Sequence, residues 1–117
     1  MTNVSFAQQS KIDSLLSLIQ KDADDSIKVN HLNELARDYM NEAPDKAMQY
    51  ATDAYNLSTQ LNYEKGVAHS IDNIGIAHEY KGNYEKAIGY YLQSLKMREK
   101  ANDKLGIATS LNNIGVV

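Results

Sequence analysis

Few side chains in this sequence are able to carry out chemistry. Three histidines, His31, His69 and His78, are the natural proton carriers and metal ligands, and cysteine is absent from all 117 residues. His69 and His78 fall nine residues apart in one helical pattern. At about 100° per residue that spacing sets them on opposite sides, so they cannot share a metal directly. His31 has only Glu34 at a helical ligand spacing, whereas a complete site takes three or four ligands. His78 lies on the apolar register of its helix and is expected to be a buried, hydrogen-bonded core residue. Asp22, Asp24 and Asp25 make an acidic run without the twelve-residue loop, the glycine and the closing glutamate of a calcium hand. They are expected to form the solvated turn before a helix over 27–40, whose N-terminal dipole they favour. Nucleophile elbow, phosphate loop, H-E-x-x-H pair and dinucleotide fingerprint are all missing. The expectation is a protein that is not an enzyme and that holds no metal and no cofactor.

Composition narrows the partners. Twelve Lys and Arg against fifteen Asp and Glu give a net charge of −3, opposite in sign to the balance that a phosphate backbone demands, so nucleic acid is not expected. Without cysteine there is no disulfide framework, thiol nucleophile or iron–sulfur cluster. No window approaches the eighteen or more apolar residues of a membrane span, and no membrane contact is expected from this stretch. Small residues at Ser5 and Ala7 ahead of Gln8 resemble the last positions of a secretory signal peptide. Residues 1–9 are therefore expected to be a flexible N-terminus, either a plain frayed polar end or a signal-peptide remnant, and the second reading tilts the location towards an extracytoplasmic, periplasmic one.

The elements that must position any site follow from an internal repeat. Gly66, Ala68, Ser70, Asn73, Ile74 and Gly75 recur forty residues on as Gly106, Ala108, Ser110, Asn113, Ile114 and Gly115. Upstream, Asp45, Lys46, Ala47, Tyr50 and Ala54 match Glu85, Lys86, Ala87, Tyr90 and Ser94 at the same offset, and Leu32, Leu35 and Ala36 match Ile71, Ile74 and Gly75 at one residue less. Within a unit, Ala68, Ile71, Ile74, Gly75 and His78 make one helical stripe and Tyr84, Ala87, Ile88, Tyr91 and Leu95 a second. Between the stripes Gly82 suits the left-handed end of a helix and Asn83 the N-cap of the next. At the equivalent join upstream, Pro44 suits a first helical position. Ser10 and Asp13, spaced like a cap with an acidic first turn, start a leading helix over 10–21. Repeat one is expected over 27–62, repeat two over 64–101, and a truncated third over 103–117.

Ile71, Asn73, Ile74, Gly75, Ala77, Gly82, Tyr84, Ala87, Tyr91 and Leu95 resemble the tetratricopeptide repeat signature. Departures are Ile71 for the usual Trp, His78 for the usual Tyr, no closing Pro, and six extra residues per repeat. The pattern is similar to the forty-residue repeats of bacterial peptide-responsive regulators and animal cell-polarity adaptors. The resemblance implies an all-α, right-handed superhelical solenoid of antiparallel helix pairs that binds a protein or peptide segment, as in the sensor regions of bacterial signalling proteins. It implies a concave binding face of Asn30, Asn33, Glu34 and Arg37, then His69, Asp72, Asn73, Ile76, Glu79 and Tyr80, then Thr109, Asn112 and Asn113. Side-chain amides at that density suit a peptide backbone, and Arg37 suits a carboxylate. Some relatives grip a terminal carboxylate with two Lys, an Arg and two Asn. Here Asn73 matches, but Asn33 and Thr109 stand where that clamp has Lys and Asn113 where it has Arg, so a chaperone-tail clamp is not expected. In the broken third repeat Ile107, Leu111 and Ile114 are expected to lack cover. They would serve self-association, a homodimer through the C-terminal helix, if the repeats act instead as a structural assembly module.

Overall fold

A computed structural model describes residues 5–116. Six helices follow one another among these residues: α1 (Phe6–Lys21), α2 (Ser26–Tyr39), α3 (Pro44–Gln60), α4 (Glu64–Tyr80), α5 (Tyr84–Lys100) and α6 (Lys104–Val116). α1 begins earlier than its Ser10 signal. Ser5 is the N-cap, its Oγ accepting from the Gln8 backbone N–H at 3.0 Å. Gln8 then reaches across to donate to the Asp38 carbonyl at 2.8 Å, a tertiary anchor that draws residues 6–9 into the helix instead of leaving them a flexible lead. Residues 1–4, which hold part of the signal-peptide reading, lie outside the described residues.

The turns explain the rest of the register. The acidic run caps α2: Asp25 accepts from the backbone N–H groups of Ile27 and Lys28. Asp22 holds His31 through Nδ1 at 2.6 Å, so that histidine fastens the α1–α2 turn. Pro44 opens α3, where its missing N–H leaves nothing unpaired. Gly82 takes φ +81°, and Asn62 and Asn102, forty residues apart, take φ 56° and 54° at the ends of α3 and α5. Each precedes a backbone N–H that reaches five residues back: Tyr63 to Ser58, Asn83 to His78 and Asp103 to Arg98, at 2.8–2.9 Å. Asn83 differs from expectation, since its side chain caps nothing and meets His78 Nδ1 at 3.3 Å.

Each helix packs on the next, and α2 also touches α4, so the chain is an all-α solenoid of antiparallel pairs, α2 with α3 and α4 with α5, led by α1 and ended by α6. The second helices pack through small side chains. Ala47, Ala51, Ala54 and Ala87 are fully buried, and Tyr91, fully buried as well, fills the space above Gly75. Apolar clusters run along the stack: Ile12, Leu15 and Leu35, then Val29, Leu32 and Ala54, then Met40, Ala47 and Ala77. The result is a slab of 37 × 33 × 20 Å. No helix among the described residues is long and apolar enough to cross a membrane.

Candidate functional site

The first helices of successive pairs, α2, α4 and α6, border one cleft of about 360 Å³. α2 supplies Asn30 and Arg37, α4 supplies Lys65, His69 and Asp72, and α6 supplies Leu105, Gly106, Thr109 and Asn113. Tyr63, Arg98 and Asp103 complete it from the neighbouring turns and the end of α5. Tyr63 fixes the rim by donating its hydroxyl proton to Asn30 Oδ1 at 3.0 Å.

Under the cleft lies a polar network that ties three helices together. Asp72, only 2% exposed, accepts from Arg98 Nη1 at 2.5 Å and from the Ser94 hydroxyl. Arg98 Nη1 also donates to Ser110 Oγ at 2.8 Å, and the hydroxyls of Ser94 and Ser110 meet at 3.1 Å. The attraction of such a pair offsets the large cost of taking two charges from water only because further hydrogen bonds complete it. Gly106 makes room, since a Cβ there would come within 2.8 Å of Arg98 Cδ and Nε. The sequence reading put Asp72 on the groove face and missed Arg98, Ser94 and Ser110 altogether. Asp72 is a buried ion-pair partner at the floor of the cleft.

Asn33 and Asn73 also depart from the groove reading. Both are fully buried. Asn73 Nδ2 donates to the Asn33 carbonyl at 3.2 Å and to Asn33 Oδ1 at 3.0 Å, while Asn33 Nδ2 and Asn73 Oδ1 have no hydrogen-bond partner. The forty-residue period sets the two amides opposite each other where α2 meets α4, so they latch the solenoid. Ile76 packs against the cluster of Met40, Ala47 and Ala77. Glu79 accepts from the buried Tyr91 hydroxyl at 2.7 Å. Glu34 pairs with Lys11 at 3.4 Å. Tyr80 and Asn112 are exposed but do not line the cleft. Asn30, Arg37, His69, Thr109 and Asn113 are the predicted residues that the fold does gather with open faces.

Electrostatics separate the histidines. His69 lies between the cleft walls with its outer edge in solvent. Desolvation lowers its pKa below the usual 6.5; Asp72 pulls it back, and Arg37 and Arg98 push it down further. His78, expected in the core, is half-buried at its edge and stacks on Tyr90 with ring centroids 5.5 Å apart. Desolvation, Lys86 and Lys81 lower its pKa. Burial, and then the hydrogen bond to Glu79, push the Tyr91 phenol well above the ordinary tyrosine range, so it stays a hydrogen-bond donor. Among the described residues no group of three or more His, Asp or Glu is placed to hold a metal.

On α6, Ser110 is the buried residue. Ile107 and Ile114 are half-covered, contrary to expectation, while Leu111 is 55% exposed. Leu105 and Val116, which were not among the residues expected to lack cover, are more exposed still.

Antiparallel helix pairs stacked on a regular period, with a polar cleft along their first helices, define a helical-repeat scaffold protein. Residues 66–117, from the first turn of α4 onward, match the tetratricopeptide repeat family model. This part of the chain is similar to tetratricopeptide repeats, and repeats of this family generally mediate contacts between proteins. None of the curated proteins compared with it matches.

Proposed function

We propose that this chain is a non-enzymatic interaction module that holds a protein or peptide segment in the cleft formed by α2, α4 and α6. The observation that carries the reading is the convergence of Asn30, Arg37, His69, Thr109 and Asn113 from three successive first helices onto one cleft. These groups offer donors and acceptors at intervals along a surface, which suits the repeating N–H and C=O groups of an extended backbone. The likeness to bacterial regulators extends the reading to a sensor, in which the held segment is the signal. Selection of binders from a randomised peptide display library tests it. Binders that weaken on Arg37→Ala combined with Asn113→Ala, with helicity unchanged, support it. Binders indifferent to both substitutions, or turnover of a substrate that requires His69, contradict it.

A second reading has one observation behind it: Leu105, Leu111 and Val116 stand exposed on the terminal helix. A second copy covering that face would make the chain an assembly module. Light scattering over a wide concentration range then shows a dimer that Leu111→Glu dissolves; a monomer throughout removes the reading.

A further inference from the structure

The two junctions between successive first helices share a sequence register and are built differently. Where α2 meets α4, Asn73 Nδ2 donates to the carbonyl and to Oδ1 of Asn33, and a Cβ on Gly66 would stand 2.8 Å from Val29 Cγ1. Turning the Asn73 amide over would set its Oδ1 against the Asn33 carbonyl, so the donor is fixed. One repeat on, Asp72 matches Asn33, the two following Ile71 and Leu32, and Asn113 matches Asn73. Here the latch is unmade. Asn113 forms no side-chain hydrogen bond among the described residues, and both Asp72 oxygens are taken, by Arg98 and by Ser94. α6 packs on α5 without the contact to α4 that α4 makes to α2. A Cβ on Gly106 would find its three nearest heavy atoms on Asp103 and Arg98, with none on α4.

The difference traces to one position, for Arg98 stands forty residues after Ser58. Ser58 is small and fully buried, and turns its hydroxyl back to the Tyr55 carbonyl at 3.1 Å, which lets α4 lie on α2. Arg98 instead reaches between α4 and α6, its Nη1 donating to Asp72 on one and to Ser110 on the other. We infer that Arg98 is a strut and that α6 has two seats. In the present seat the guanidinium spaces α6 from α4; in the closed seat Asn113 Nδ2 donates to the carbonyl and side chain of residue 72, as Asn73 does to Asn33. Thr109 and Asn113 line the cleft from α6, and His69 and Asp72 line it from α4, so the strut sets the width of the cleft at that end. Resting on the interaction reading above, Arg98 is thus a positioning residue, one that holds the third wall in place for a bound segment.

The test writes the first junction into the second: Arg98→Ser combined with Asp72→Asn gives positions 98 and 72 the residue types of Ser58 and Asn33. Both charges go together, so no buried charge is left unanswered. The intact variant and its parent are compared by NMR without ligand. The Asn113 side-chain amide is expected to exchange with solvent about tenfold more slowly in the variant, the worth of one hydrogen bond, and α6 is expected to gain nuclear Overhauser contacts to α4. Adding Asn113→Ala is expected to remove those contacts. A variant whose α6 keeps contacts to α5 alone, with Asn113 exchange unchanged, overturns the strut. So does an α6 that melts while α1–α5 persist. If the paired change unfolds the chain, Arg98→Gln decides, because it shortens the side chain yet keeps a neutral donor beside Asp72. It is expected to slow Asn113 exchange in part, and no slowing overturns the two seats. Failure of every display-selected peptide to bind the parent would sink the interaction reading and leave the strut to these spectra.

Discussion

Asp72 and Arg98 share a site from which water is nearly excluded, and each is there because of the other. Removing one partner leaves a buried charge unanswered, at a cost of about 3–5 kcal/mol. Asp72→Ala is therefore expected to lower the urea midpoint sharply. The paired change Asp72→Leu with Arg98→Met, which removes both charges, is expected to recover most of the loss; a double variant as unstable as the single one would mean that shape, not charge, governs the site. His69 supplies a pH effect. Its pKa is lowered in the folded chain, so between that value and 6.5 the unfolded chain binds more protons. Stability contributed by neutral His69 is thus present above about pH 6.5 and is lost as pH falls towards the lowered folded value. Urea titrations of the parent and His69→Gln across that interval check this: the parent is expected to lose more stability on acidification than the variant. Residue identity alone did not reveal the Asp72–Arg98 pair. Arg98 sits in the last turn of a helix, where a base is ordinary, and nothing in the linear pattern joins positions 72 and 98. The register misplaced Asn33 and Asn73 for a related reason, because an inner-face position becomes a buried one where two first helices touch.

At the scale of elements, the glycines that recur every forty residues are not equivalent. Gly75 lies under Tyr91, and a Cβ there would stand 2.8 Å from Tyr91 Cε1 and 3.2 Å from Tyr90 Cβ, whereas at Gly115 it would meet nothing within 4 Å. Gly75→Ala forces α4 and α5 apart and is expected to cost about 1–3 kcal/mol. Gly115→Ala is expected to be neutral or stabilising by up to about 1 kcal/mol, through helix propensity alone. Thermal unfolding of the two variants side by side decides this, and equal destabilisation would contradict the packing account. Helix pairs, their period and the Pro44 and Gly82 turns were legible because each rests on local chemistry and periodicity. The start of α1 was not, because the hydrogen bond from Gln8 to the Asp38 carbonyl connects residues thirty apart. Asn62 and Asn102 took on the left-handed turn that only Gly82 had advertised, as asparagine is able to do.

For the molecule as a whole, the slab is held unevenly. α4 has eight buried residues, packed between α3 and α5, while α6 has Ser110 alone and packs on α5. Opening is therefore expected to begin at α6, with its amides exchanging faster than those of α4; protection of α6 equal to that of α4 in the monomer would contradict this. This loose end forms one wall of the cleft, so a ligand that bridges α2, α4 and α6 also closes the solenoid, and its binding free energy adds to the stability of that end. The measurement that tests the central claim most directly is amide hydrogen exchange of the intact chain with and without a display-selected peptide. The account predicts added protection on α2, α4 and α6 together. Protection confined to the outer face of α6 around Leu111, with α2 and α4 unchanged, would contradict it.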